Sequence, residues 1–356
     1  MNAENAIKYR SEKHADIMEF LDSAKQKSKD EIFIGLDQFL VPVMFSAKEV
    51  QDFVERQPID KIVVLYFMDK DFAERYLSTS RIHMNDIWPN MVYVPCSISP
   101  NNKEEIEKIY EIADANKNIV FINHTVPHKT NPVMLNRYGP GHGDYLVKND
   151  GKFSIVEGNG DAFVVMSSDM LGTNDFSNVI IIIVGVGGAG ELALLAIKEQ
   201  NPKRIILVDI KDKSVLANSE GADYYSNIED VDLGNVSDTD RIIVIDATTH
   251  HNERDEKAVS YGFVKAHDSE KNVFIDYNMF INEEEYKDLI TNCAIGSEYV
   301  AYTNYIMAKK IIEAAKECGV ELASVSKEDF DRIVENSITV RDIIKNLLFA
   351  DDNIAE

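Results

Sequence analysis

Three cysteines in 356 residues, Cys96, Cys293 and Cys318, are too few and too scattered for a disulfide framework or a zinc site, and they fit a reducing compartment. Basic residues are also scarce. Against 61 acids stand 37 lysines and arginines, a formal charge of −24 whose field repels nucleic acid and anionic membrane surfaces. No apolar run reaches the roughly 20 residues that span a bilayer, and the polar opening MNAENAIKYRSEKH lacks the apolar core of a secretory signal. Repeats and low-complexity tracts are missing too. What remains is the expectation of a soluble, cytoplasmic globular protein whose partner is a small molecule, with no nucleic acid, membrane or metal. A homodimer is the one assembly kept open.

The length allows two domains with separate cores, and 45% hydrophobic with 28% charged residues is ordinary for such a chain. The organising stretch is Val179 to Ile210, VIIIIVGVGGAGELALLAIKEQNPKRIILVDI. It opens on a continuous β-branched run of the kind a strand shows when both faces are buried. Gly185, Gly187 and Gly190 follow at G-x-G-x-x-G spacing, with Gly188 and Ala189 between them. That spacing lets the chain turn sharply, brings bare backbone against a pyrophosphate and packs the next helix closely on the sheet. A helix over about 189–200 aims its N-terminal N–H groups at the phosphates, and Asn201-Pro202 stops it before a second buried strand, Arg204 to Val208.

Asp209 stands at the end of that strand, where an acid takes the hydroxyls of an adenosine ribose and repels a 2′-phosphate, so NAD is favoured over NADP. Ile210 follows it, and Lys211 and Lys213 are the nearby cations that could still receive a phosphate.

The remaining pattern alternates strands and helices. Strands are expected near 62–67, 91–95, 118–122, 241–245, 272–275 and 293–295, and helices near 46–57, 71–76, 102–115 and 302–318. Tyr145 to Val147 and Phe153 to Val156, joined by Asn149-Asp150-Gly151, read as a hairpin. Residues 1–60 form an N-terminal extension, 61–170 a substrate and catalytic domain to which helices of 303–350 return, and 171–302 a doubly wound, NAD-binding domain of Rossmann type. A coenzyme on such a sheet leaves its nicotinamide at the strands' carboxyl edge, so the substrate-binding groups are sought in loops of residues 60 to 170.

Two loops there carry chemistry-bearing residues: Asn123-His124-Thr125-Val126-Pro127-His128-Lys129 and Glu157-Gly158-Asn159-Gly160-Asp161-Ala162-Phe163. N-x-T-x-P-x-K, then N-x-D, then a GxGGA turn resembles the shikimate and quinate dehydrogenase family. Val92-Tyr93-Val94-Pro95, Asp150-Gly151-Lys152, Ala247-Thr248 and Asp276-Tyr277 extend the resemblance from about Leu77 to Tyr305. It implies an oxidoreductase acting on a CH–OH group, with Lys129 and Asp161 as the catalytic pair and Ala247 and Thr248 beside the cofactor. A hydride leaving a carbinol carbon requires a proton to leave the oxygen, and a positioned amine moves that proton at a gain of roughly 10²- to 10⁴-fold.

Several pocket positions depart from the family. Its S-x-S-P-x-x-H-N survives only as Leu77-Ser78-Thr79-Ser80-Arg81-Ile82-His83-Met84, which puts either Leu77 and Thr79 or Ser78 and Ser80 on the serine positions. Arg81 is new and could clamp a carboxylate. The family's asparagine aligns with Asp144 and its threonine with Tyr145; Ala162 replaces a glycine and His124 a valine, and Asn304 corresponds to the substrate-binding glutamine.

The substrate contacts so implied are Ser78, Thr79, Ser80, Asn123, Thr125, Asp144 and Asn304. An acid at 144 favours a cationic partner, so an amino group on the substrate is expected to face it. His83, His142, His250 and His251 read as surface or packing residues. The expected activity is hydride transfer between NAD and a small, cyclic hydroxy or keto acid. A true shikimate or quinate dehydrogenase and a non-catalytic NAD-binding sensor are the alternatives.

Overall fold

The computed structural model describes residues 46–56, 61–68, 88, 90–125, 128–141, 143–248, 258–277, 290–326 and 329. The N-terminal extension up to residue 45, the helix expected at 71–76 and, apart from 329, the returning segment beyond 326 lie outside the described residues, as do Ser78, Thr79, Ser80, Arg81, His83, His142, His250 and His251. The chain divides into two compact units, Met1–Glu157 with Met307–Glu356, and Gly158–Ile306.

In the first unit, helix α1 (Ala47–Val54) opens on Ser46, whose N–H donates to the Glu49 carboxylate at 2.8 Å. Strand β1 (Ile62–Met68), strand β2 (Met91–Ser97), helix α2 (Lys103–Ala115) and strand β3 (Ile119–His124) follow. Asn102 caps α2 by accepting the Glu105 N–H. Helix α3 (Pro132–Tyr138) then starts on Asn131, which accepts the Val133 N–H at 2.9 Å, with proline at the first helical position. Strands β4 (Tyr145–Asn149) and β5 (Lys152–Val156) form the expected hairpin. Asp150 and Gly151 both have positive φ, 49° and 77°, which suits the mirror-image two-residue turn.

The sheet is mixed, in the order β2-β1-β3-β4-β5, with β1 parallel to both neighbours and β4 antiparallel to both of its own. Val63, Leu65 and Phe67 of β1 enter one core with Ile106, Ile109 and Tyr110 of α2 and Val50 and Phe53 of α1. Lys148 of β4 is buried, yet its amine donates to the carbonyls of Ala113 and Asn116 at 2.7 and 2.8 Å. A cation so placed satisfies orphan carbonyls at the end of α2 and complements the helix dipole.

The second unit begins with helix α4 (Asn159–Leu171), stopped by Gly172 in the left-handed conformation. Then come β6 (Val179–Val184), α5 (Gly188–Lys198), β7 (Arg204–Val208), α6 (Ser214–Glu220), β8 (Asp223–Tyr225), β9 (Arg241–Asp246), α7 (Tyr261–Ala266), β10 (Val273–Asp276) and β11 (Cys293–Ile295). Helix α8 (Gly296–Glu317) closes the series, and the division between the units falls within it. All pairings are parallel in the order β11-β10-β9-β6-β7-β8. The strand that comes first in the chain sits in the middle and the order reverses between β6 and β9, as in doubly wound dinucleotide-binding sheets.

Burial on both faces explains the unbroken apolar runs. Ile181 and Ile183 of β6 join the core of α4 and α5, while Ile180, Ile182 and Val184 join a second core with Ile228, Tyr261 and Val264. The helix expected at 302–318 starts earlier, at Gly296, because Tyr299 and Tyr302 are buried in the first of these cores. The segment from Asn159, expected as part of a loop, opens helix α4 although Asn-Gly-Asp favours a turn. Its apolar positions instead pack against α5.

Candidate active site

The glycine turn joins β6 to α5, and each glycine has a separate reason to lack a side chain. Gly185 has φ +82°, and a Cβ there would meet Thr248 Cγ2 at 2.8 Å and the Thr248 amide nitrogen at 2.9 Å. A Cβ on Gly190 would lie 2.2 Å from the Gly185 carbonyl oxygen. At Gly187, which caps α5, nothing lies within 4 Å of the Cβ position. Two glycines are therefore needed for internal packing. The third faces open space ahead of the helix N-terminus, where backbone N–H groups suit a pyrophosphate.

Two acids hold this turn. Asp209 accepts the Val186 N–H at 2.7 Å with one carboxylate oxygen and the Lys211 N–H at 2.8 Å with the other. It ties the end of β7 to the glycine turn, with exposed Ile210 beside it. Lys213, one of the two cations weighed for a phosphate, pairs with Glu191 of α5 at 3.0 Å.

Asp246, fully buried at the end of β9, accepts from the Thr248 amide and hydroxyl at 3.1 and 2.6 Å and from the Ser260 amide and hydroxyl at 3.0 and 2.6 Å. Four donors satisfy the charge and press Ala247-Thr248 against Gly185. The sequence reading missed Asp246 and Ser260, although an acid ending RIIVID repeats the signal of the one ending RIILVD.

In the first unit, β3 ends in the loop that carries Lys129. The Thr125 hydroxyl donates to the Phe67 carbonyl at 3.0 Å, so it anchors the loop to β1. Asn123 is buried and its amide nitrogen reaches the Tyr93 hydroxyl at 3.3 Å and the Met307 sulfur at 3.1 Å. Lys129 lies in a short 3₁₀ turn, and its amine forms an ion pair with Asp144 at 2.5 Å. The cation facing Asp144 is thus supplied by the chain, which removes the reason for expecting an amino group on the substrate.

Asp144 is held by a buried relay that the sequence did not reveal. His124 donates its backbone N–H to the Asp144 carbonyl at 2.9 Å, and its Nδ1 lies 3.1 Å from the Gly143 carbonyl. Its Nε2 lies 3.0 Å from the Tyr110 hydroxyl. Because Gly143 offers only an acceptor, Nδ1 carries the proton and Nε2 accepts from Tyr110. Burial drives the Tyr110 hydroxyl well above its ordinary range, so it keeps its proton. The Gly143 N–H donates to the Lys129 carbonyl at 3.0 Å and closes the loop.

Burial first, then the nearby His128, lowers the His124 pKa to about 3. The folded chain keeps this imidazole neutral, whereas the unfolded chain protonates it below the ordinary value of 6.5. Stability linked to His124 is therefore complete above that value and is lost progressively as pH falls towards 3. Between about pH 7 and pH 4.5 the native chain should lose about 2–3 kcal/mol more than the His124→Asn variant. Denaturant unfolding of both proteins measures this, and equal losses would contradict a neutral buried imidazole.

Asp161 lies in the first turn of α4 and is half-buried, and Asn304 is buried in α8; both belong to the second unit. The tilted rings of Tyr277 and Tyr299 pack on Phe163 at 6.1 and 4.6 Å between centroids, which packs the start of α4 against the end of β10. Among the described residues no cluster of metal-ligating groups is present, and no helix is long and apolar enough to cross a membrane.

No protein-family profile matches the chain, and no curated protein does. Solved structures do. A shikimate dehydrogenase in complex with NADP+ is similar over 79% of this chain and 97% of its own, at 20% identity and a TM-score of 0.56. Quinate dehydrogenase from Corynebacterium glutamicum in complex with NAD is similar over 79% and 99%, at 14% identity and a TM-score of 0.52. The ligand-free 5-ketofructose reductase of a Gluconobacter strain is similar over 78% and 99%, at 15% identity and a TM-score of 0.56. At these identities the likeness is one of fold: an α/β chain with a doubly wound sheet of Rossmann type, built as the shikimate dehydrogenases are.

Proposed function

We propose that this chain is a nicotinamide-dinucleotide-dependent oxidoreductase that interconverts an alcohol and a carbonyl on a small hydroxy compound. The observation that carries the reading is the open side of the Gly187 turn at the reversal between β6 and β9. Gly185, Gly187, Gly188, Ala189 and Gly190 would hold the pyrophosphate, Asp209 and Ile210 the adenosine, and Ala247 and Thr248 the flank of the turn. The nicotinamide supplies or accepts the hydride.

Lys129 handles the proton. In the reducing direction its ammonium donates to the carbonyl oxygen as the carbon gains the hydride, and in the oxidising direction the amine takes the hydroxyl proton. Asp161 is assigned as the second carboxylate of the pair by the family motif. Asn123, Thr125 and Asn304, with Ser78, Thr79 and Ser80, remain the proposed substrate-binding residues. A side chain whose charged end is fixed by an ion pair and still partly exposed suits catalysis better than a binding-only role. Quinate dehydrogenase and 5-ketofructose reductase, similar in fold, act on an acid and on a neutral ketose, so the scaffold dictates neither.

NAD is the proposed coenzyme, because the Asp209 carboxylate repels a 2′-phosphate. Replacing Asp209 with asparagine removes the charge and keeps one of the two acceptor oxygens, enough to hold the Val186 N–H of the glycine turn. The NAD-over-NADP affinity ratio should fall by about ten-fold, the equivalent of about 1.4 kcal/mol. Titration of NADH and NADPH fluorescence into both proteins reads it, and an unaltered ratio would remove Asp209 from coenzyme choice.

A further inference from the structure

Resting on the oxidoreductase reading, we propose that Asp144 fixes the charge class of the substrate: the portion facing Lys129 is an uncharged polyol or hydroxyketone, and a carboxylate is excluded from it. The Lys129 amine is in contact with Asp144, whose side chain is 2% exposed while that of Lys129 is 21% exposed. The ammonium charge is thereby balanced inside the protein. An arriving anion meets a near-neutral pair with a buried carboxylate directly behind the cation, and the overall charge of −24 adds repulsion.

The backbone that carries Asp144 beside the amine is held on several sides. The Asp144 backbone is fixed by the His124 N–H, and the Gly143 carbonyl before it by the His124 imidazole. The Gly143 N–H is committed to Lys129, and a Cβ on Gly143 would lie 2.5 Å from the Met134 side chain. An uncharged hydroxyl, by contrast, accepts from the partly exposed ammonium without leaving any charge uncompensated.

The test compares quinate with its carboxamide, which share a ring and differ in charge, titrated calorimetrically into the full chain saturated with NAD. The carboxamide should bind at least about ten-fold more tightly to the native protein. Asp144→Asn, close in shape, should reduce that gap to about three-fold or less, and Asp144→Glu, which keeps the charge, should retain it. The proposal is overturned if the acid binds as well as the amide, whether through Arg81 or another group, or if the gap survives in Asp144→Asn. It is overturned equally if neither compound binds a chain that binds NAD. A native chain that fails to bind NAD refutes the oxidoreductase reading instead.

Discussion

Replacing Lys129 by alanine is expected to lower kcat by roughly 10²- to 10⁴-fold while leaving NAD affinity nearly unchanged. The hydride and the proton travel separately, and only the proton depends on this side chain. Lys129 and the glycine turn belong to different units. Loss of the amine strands the carboxylate of Asp144, which is buried, so a stability cost is built into the variant. Lys129→Ala with Asp144→Asn removes both charges and should restore the unfolding midpoint without restoring turnover. Steady-state rates and denaturant titrations on the single and double variants separate the two effects. A single variant with native kcat would remove Lys129 from the chemistry.

The second large effect separates two glycines three residues apart. Gly190→Ala drives a methyl into the Gly185 carbonyl, a backbone atom that cannot yield, so α5 must move off β6. Overpacking of this kind costs about 1–3 kcal/mol and more when backbone is involved. Gly187→Ala meets nothing within 4 Å and alters only a helix cap, for under about 1 kcal/mol. Unfolding midpoints should therefore fall sharply for Gly190→Ala and barely for Gly187→Ala. The reverse order would mean that the turn is packed differently.

Much of the second unit was legible in its residues. Alternate positions of β6, β7 and β9 feed two cores, and this forces continuous β-branched runs that no amphipathic element produces. The glycine spacing and the acid at 209 were readable for the same reason: each answers a local backbone demand. The relay at Lys129 was not readable. Tyr110, His124 and Gly143 come from α2, β3 and the loop before β4, and only the pairing of β3 with β4 brings them together. Asp144 was singled out as an acid in an amide's place, but its partner was sought in the substrate because the two residues stand fifteen positions apart in the chain. Helix α4 escaped because Asn-Gly-Asp carries turn chemistry, and the packing that overrides it lies on α5.

The most direct measurement is calorimetric titration of NAD into the native chain and into Gly187→Ala. The account predicts saturable binding at one dinucleotide per chain, and loss of most of that affinity in a variant that still unfolds at nearly the native midpoint. A native chain that unfolds cooperatively yet shows no saturable binding, or a Gly187→Ala chain that binds as tightly as the native one, would contradict it.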